Sequence, residues 1–139
     1  MGGRMSRNKG IRGEREIITL LQPIVRQVHE AAGALVPVLQ RNTLQSDKGG
    51  HDIAGLHWMA PEVKHCQTLN LKDWWRQTLR QCGHTQTPVL FYRRNNEEWR
   101  VMMEVTCIVG DTVMRMPAIL NIHEFLRYFR ARVEQEVKQ

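Results

Sequence analysis

The stretch Gly50-His51-Asp52-Ile53-Ala54-Gly55-Leu56-His57-Trp58-Met59-Ala60-Pro61-Glu62-Val63-Lys64 decides how the chain is read. His51–Leu56 and Pro61–Cys66 have the composition of two short strands, joined by a turn over 57–60. Alternate side chains of a strand share a face, so Glu62 and Lys64 point one way while Val63 turns to a core. A hairpin then sets Asp52 beside Glu62. Two converging carboxylates are poor core residues but good ligands for Mg²⁺, which takes oxygen donors at about 2.0–2.1 Å and keeps several waters. Lys64 adds a positive charge on the face of Glu62. Taken alone, this short pattern is explained equally well by an exposed hairpin with a Glu/Lys pair.

Upstream, Ile17, Ile18, Leu21, Ile24, Val25 and Val28 recur at helical spacing and predict an amphipathic helix over about 12–32, with Pro23 able to kink it. At about 100° per residue, Glu14 falls in the middle of the arc of Ile18, Leu21, Val25 and Val28, and Glu16 nearly opposite. A carboxylate on a buried stripe is costly unless something positive meets it. A metal site beneath the helix would do so, whereas a plain helix-start glutamate would favour the dipole and reach solvent. Before the helix, Arg4, Arg7, Lys9 and Arg12 stand among glycines and polar residues without an acid until Glu14, and read as a mobile basic arm.

The segment 35–40 reads as a first strand and Asn42–Gly50 as a polar loop. Asn70 is placed to cap a helix running to about Cys82, with Leu71, Trp75, Thr78, Leu79 and Cys82 on its apolar face and Gln77 off it. Pro88–Tyr92 and Trp99–Ile108 read as strands, with a further short one at Thr112–Met116. A last helix starts near Asn121, which can cap it with Glu124 three residues on. The expected class is α/β, in the order helix, three strands, helix, two strands and a C-terminal helix, as one domain over 1–139.

Glu14 opening a helix, His51-Asp52-Ile53, then Glu62-Val63-Lys64 and a following helix together resemble the PD-(D/E)XK nucleases, most closely the archaeal-type Holliday junction resolvases and related small phage-encoded nucleases. The resemblance covers about residues 7–105, with His51 where many members carry proline. It implies a restriction-endonuclease-like core of mixed sheet flanked by helices. It further implies Glu14, Asp52 and Glu62 as metal ligands, the Val63 carbonyl as a further one, Lys64 as the catalytic lysine, and Mg²⁺ as the cofactor, replaceable by Mn²⁺. The corresponding activity is hydrolysis of DNA phosphodiesters, first of all in four-way junctions. An exonuclease, a restriction-like enzyme or a non-catalytic DNA-binding module are the alternatives, the last disfavoured because binding alone needs no acidic cluster facing phosphate.

Composition agrees with a polyanion partner. Twenty Lys and Arg against fourteen Asp and Glu give the 139-residue chain a formal charge of +6. Arg4, Arg7, Lys9 and Arg12 of the arm are candidates for phosphate contacts that carry no base readout. Arg41, Ser46 and Lys48 precede Asp52 closely enough to meet a scissile strand, and Gln67 could turn back toward a phosphate. Cys66, Cys82 and Cys107 form no CxxC pair and the six histidines no HxxxH or HExxH, so neither a disulfide framework nor a zinc site is suggested. No apolar run is long enough to span a bilayer, so the expected setting is the cytoplasm of a bacterial, archaeal or phage-infected cell. Paired cuts in a junction call for a homodimer, its expected contacts being apolar strips left after the core is filled, such as the exposed side of the strands near Trp99–Met103 or the final helix with Phe125 and Phe129.

Overall fold

The apolar stripe of the first helix is the surface against which the rest of the chain packs. In the computed structural model, which describes residues 2–43 and 51–139, helix α1 spans Gly2–Ala31. Gly13, Ile17, Leu21, Val25 and Val28 form its buried face. Pro23 lies inside α1 but on the exposed side, so the hydrogen bond that proline cannot donate is lost where water can replace it. The expected mobile arm is instead the first turns of this helix. Arg4, Arg7 and Arg12 are exposed on it, and the Lys9 ammonium donates to Asn95 Oδ1 at 3.2 Å. Arg and Lys are good helix formers, and outweigh the scattered glycines once the helix has nucleated downstream.

The strand expected over 35–40 is reduced to its last residue. Strand β1 is Gln40–Arg41, antiparallel to β2, Ile53–Ala54. Ahead of it Gln22 of α1 replaces a strand partner, its Nε2 donating to the Pro37 carbonyl at 3.0 Å and its Oε1 accepting from Leu39 N at 2.8 Å. Backbone groups satisfied by a side chain need no ladder, and Pro37 has no N–H to offer one.

Strands β3 (Met59–Cys66), β4 (Thr87–Arg94), β5 (Arg100–Val109) and β6 (Thr112–Asn121) form a mixed four-stranded sheet in that order. β3 and β4 are parallel with Glu62 opposite Leu90, a pairing that needs a crossover, supplied by helix α2 (Leu71–Arg80). β4, β5 and β6 follow as an antiparallel meander, β6 running well past its expected end at Met116. Helix α3 (Ile122–Val137) starts directly after β6, and Asn121 Oδ1 accepts from Glu124 N at 2.8 Å, the cap expected there. Asn70 makes no such cap, because its amide donates to Asp73 instead. The fold is α/β and restriction-endonuclease-like.

The core joins Ile17, Leu21 and Val25 of α1 to Val89, Phe91, Val101 and Met103 of the sheet and to Phe125, Phe129 and Val133 of α3. The rings of Phe91 and Phe125 meet edge to face at 5.1 Å, an arrangement favoured by their quadrupoles. Trp99, Val101, Met103, Phe125 and Phe129 are therefore consumed by the core, so Phe125 and Phe129 offer a second copy no surface, and the outer side of the strand near Trp99–Met103 presents Arg100 and Met102. Exposed apolar side chains gather instead on the outer β5–β6 hairpin, where Ile108 is 73% exposed and Val109, Val113, Met114 and Ile119 accompany it.

Candidate active site

β3 lies at one end of the sheet order, and its outer side is where the carboxylates meet. Asp52 N donates to the Pro61 carbonyl at 2.9 Å, and Asp52 Oδ2 accepts from Val63 N at 2.7 Å in a buried bond. The hairpin expected from sequence is thus a short clasp around Asp52, with β2 paired to β1. A residue's N–H and C=O leave a strand on the same side, so the Val63 carbonyl faces this edge too. The Glu62 side chain is only 4% exposed. Its Oε1 accepts from Gln77 Nε2 of α2 at 3.1 Å and lies 3.5 Å from Lys64 Nζ. Its Oε2 is buried without a hydrogen-bond partner among the described residues. Burial first, and then the neighbouring Asp52 charge, push the Glu62 carboxyl up to about 8 against the pull of Lys64.

Glu14 approaches from the opposite face of the sheet. Gly13 permits this, since a Cβ there would stand 3.2 Å from Trp99, 3.3 Å from His65 Cβ and 3.3 Å from Val63 Cγ1. Glu14 is 13% exposed, and its Oε1 accepts from Arg41 Nε at 2.8 Å. Burial raises its pKa, the Arg41 hydrogen bond opposes the rise, and the Asp52 charge adds to it. Glu16, expected to face away, sits at the rim of the buried arc, which Gly13 and Ile17 widen beyond the stripe read from sequence. There it pairs with Arg93 at 3.6 Å.

Asp52 and Glu62 are brought together, whereas Glu14 is engaged by Arg41. Among the described residues no three His, Cys, Asp or Glu side chains stand grouped for an ion as they are. The residues nonetheless fit a hard divalent cation. A buried carboxylate oxygen without a partner, a second carboxylate beside it and a proton affinity raised by burial and by that second charge are what such an ion would relieve.

Of the remaining candidates, Arg7 and Arg41 line a cavity of about 590 Å³ with Gly10, Glu14, Asn42 and Thr43. Gln67 is exposed beyond the end of β3, and Ser46 and Lys48 lie outside the described residues. Gln77 is the site neighbour that sequence placed wrongly. The sheet-facing side of α2 centres on Thr78 and includes Trp74, packed on Tyr92 with ring centroids 6.3 Å apart, while Leu79 is largely exposed. The amphipathic reading put Thr78 on the inner face correctly but took Leu79 with it; the place of Gln77 directly beside Thr78 was the signal.

Among the described residues no helix is long and apolar enough to cross a membrane. No curated protein and no solved structure matches the chain at a significant level. The model of the family described as "Phage putative PDDEXK endonuclease" matches residues 58–136. That segment holds Glu62, Val63, Lys64 and Gln77, and starts after Glu14 and Asp52. With more than half of its length matched, the chain belongs to this phage PDDEXK endonuclease family.

Proposed function

We propose that the chain hydrolyses DNA phosphodiester bonds with Mg²⁺, or Mn²⁺ in its place, using Asp52, Glu62, the Val63 carbonyl and Glu14 as metal ligands and Lys64 as the catalytic lysine. The observation that carries this reading is the Asp52–Glu62 pair at the edge of β3, with Glu62 Oε2 buried and unpartnered. When bound, a divalent ion supplies charge that polarises the phosphodiester and lowers the pKa of an attacking water. Asp52 is held in register by the Val63 N–H and Glu62 by the Gln77 amide. Lys64, on the face of Glu62, stabilises negative charge as it gathers on the phosphate oxygens.

The finer reading is a homodimeric endonuclease that acts on branched duplexes such as four-way junctions. It is supported by the resemblance noted in the sequence and by the exposed apolar side chains of the β5–β6 hairpin, which offer a second copy a surface. The test is cleavage of junction, flap, linear duplex and single-stranded DNA, with Mg²⁺ and with EDTA. Asp52→Asn and Glu62→Gln abolish cleavage, and Lys64→Ala lowers it about 10²–10³-fold while metal still binds. Unchanged cleavage in EDTA, or in Glu62→Gln, refutes the site. Equal cutting of linear duplex and junction by a monomer removes the branched-substrate reading and leaves the chemistry.

A further inference from the structure

We infer that Arg41 is a metal-displaced phosphate ligand: its guanidinium neutralises Glu14 while no cation is bound, and turns into the adjoining cavity to hold a DNA phosphodiester once a divalent cation engages Glu14. The inference rests on the metal reading above, and goes beyond it by making cation and DNA binding depend on one side chain. Three observations carry it. Arg41 Nε and Glu14 Oε1 are 2.8 Å apart with the pair 27% and 13% exposed, so Arg41 occupies a carboxylate that the metal reading above makes a ligand. The Arg41 backbone is fixed beside the catalytic edge, opposite Ile53 in the β1–β2 ladder, with the next residue, Asn42, bonded through its N–H to the Asp52 carbonyl at 2.8 Å. Its side chain, by contrast, borders an open cavity of about 590 Å³ that Arg7 also lines and in which Glu14 is the acid.

The Nε–H bond to Glu14 fixes where the Arg41 fork sits and commits its charge to the carboxylate, and an anion is repelled from this cavity if Arg41 leaves Glu14 uncompensated. Cation binding at Glu14 removes both obstacles at once. The free Arg41 then presents a fork suited to phosphate, with Arg7 on the same wall. Because coupling between two ligands is reciprocal, DNA must tighten the cation in turn.

The experiment combines calorimetric titration of Mn²⁺ with fluorescence-anisotropy titration of a linear duplex in EDTA or in Ca²⁺, over a series of salt concentrations, for wild type, Arg41→Met, Glu14→Gln and Glu62→Gln. Removing a competitor strengthens Mn²⁺ binding, so Arg41→Met binds Mn²⁺ about fivefold more tightly than wild type, the upper end of what an ion pair in contact with solvent is worth. Glu14→Gln frees Arg41 without metal, and the slope of log affinity against log salt in EDTA steepens by about 0.9, one phosphate contact. Arg41→Met loses that same contact only in Ca²⁺. Circular dichroism confirms that each variant is folded, and the neutral Arg41→Gln serves in place of Arg41→Met if the latter is not. Weaker or unchanged Mn²⁺ binding in Arg41→Met, or an unchanged salt slope in Glu14→Gln, overturns the inference. If Glu62→Gln binds Mn²⁺ as well as wild type, it is the metal site itself that has failed.

Discussion

Replacing Glu62 with glutamine keeps the side chain's size and removes the charge that the metal-free site holds least well. In the folded protein the carboxyl titrates at about 8, against an ordinary glutamate value of 4.5. Between those values the folded state carries a proton that the unfolded chain has released. The stability this contributes is therefore complete below about pH 4.5 and disappears as pH rises through about 8. At about 1.36 kcal/mol for each pH unit, wild type in EDTA loses about 2–3 kcal/mol between pH 6 and pH 9 that Glu62→Gln does not lose. For a chain of this length that is on the order of 10 °C in Tm. Differential scanning fluorimetry of both proteins in EDTA over that range measures it. Taking the difference cancels the titration of groups common to both, and the two curves diverge toward alkaline pH with the variant above. Adding Mg²⁺ at about a hundred times its dissociation constant restores about 2.7 kcal/mol to wild type at pH 8 and much less to the variant. Parallel curves, or a variant that loses stability faster than wild type as pH rises, would refute the reasoning that Glu62 is a buried anion awaiting a cation.

Further outcomes follow from the neighbours of Glu62. Asp52→Ala leaves the buried Val63 N–H without its acceptor and costs about 1–3 kcal/mol in chemical denaturation, whereas Asp52→Asn keeps an acceptor and loses little. Gln77→Leu removes a donor to the Glu62 anion, so the acid limb of the pH–rate profile moves to higher pH by roughly half a unit to one unit. Gly13→Ala gains up to about 1 kcal/mol of helix propensity but must push α1 off Trp99, His65 and Val63. With overpacking costs of about 1–3 kcal/mol, the net is a lowered Tm together with weaker Mn²⁺ binding, since Glu14 moves with the helix.

The parts of the fold that could be read from sequence are those fixed by local pattern. The stripe from Ile17 to Val28, the Asn121–Glu124 cap and the alternation that sends Glu62 and Lys64 to one face all recur in the structure. What could not be read depends on partners distant in the chain. Residues 35–39 have strand composition, yet Gln22 satisfies their backbone from α1. Gln77 lies outside the apolar pattern of α2, and only the crossover that lays this helix over β3 and β4 turns its amide to Glu62. The placing of Glu14 in the buried arc was legible from helix geometry, but its partner Arg41 was not, because no local rule brings β1 against α1. Phe125 and Phe129 were legible as an apolar stripe but not as buried, since which apolar faces a sheet and a closing helix spend on each other is settled only by their packing.

Helix α1 changes what its basic end can do. Thirty residues in one helix extend about 45 Å at 1.5 Å per residue, with Lys9 fastened to Asn95 of the β4–β5 turn. A coil drawn onto DNA surrenders backbone freedom worth about 1–2 kcal/mol for each residue it orders; a helix surrendered that freedom when it folded. Arg4, Arg7 and Arg12 are therefore carried on a stiff rod rather than a tether. Under the proposed function their charges reach a phosphate backbone without that entropic cost, but in a fixed arrangement that cannot wrap a groove.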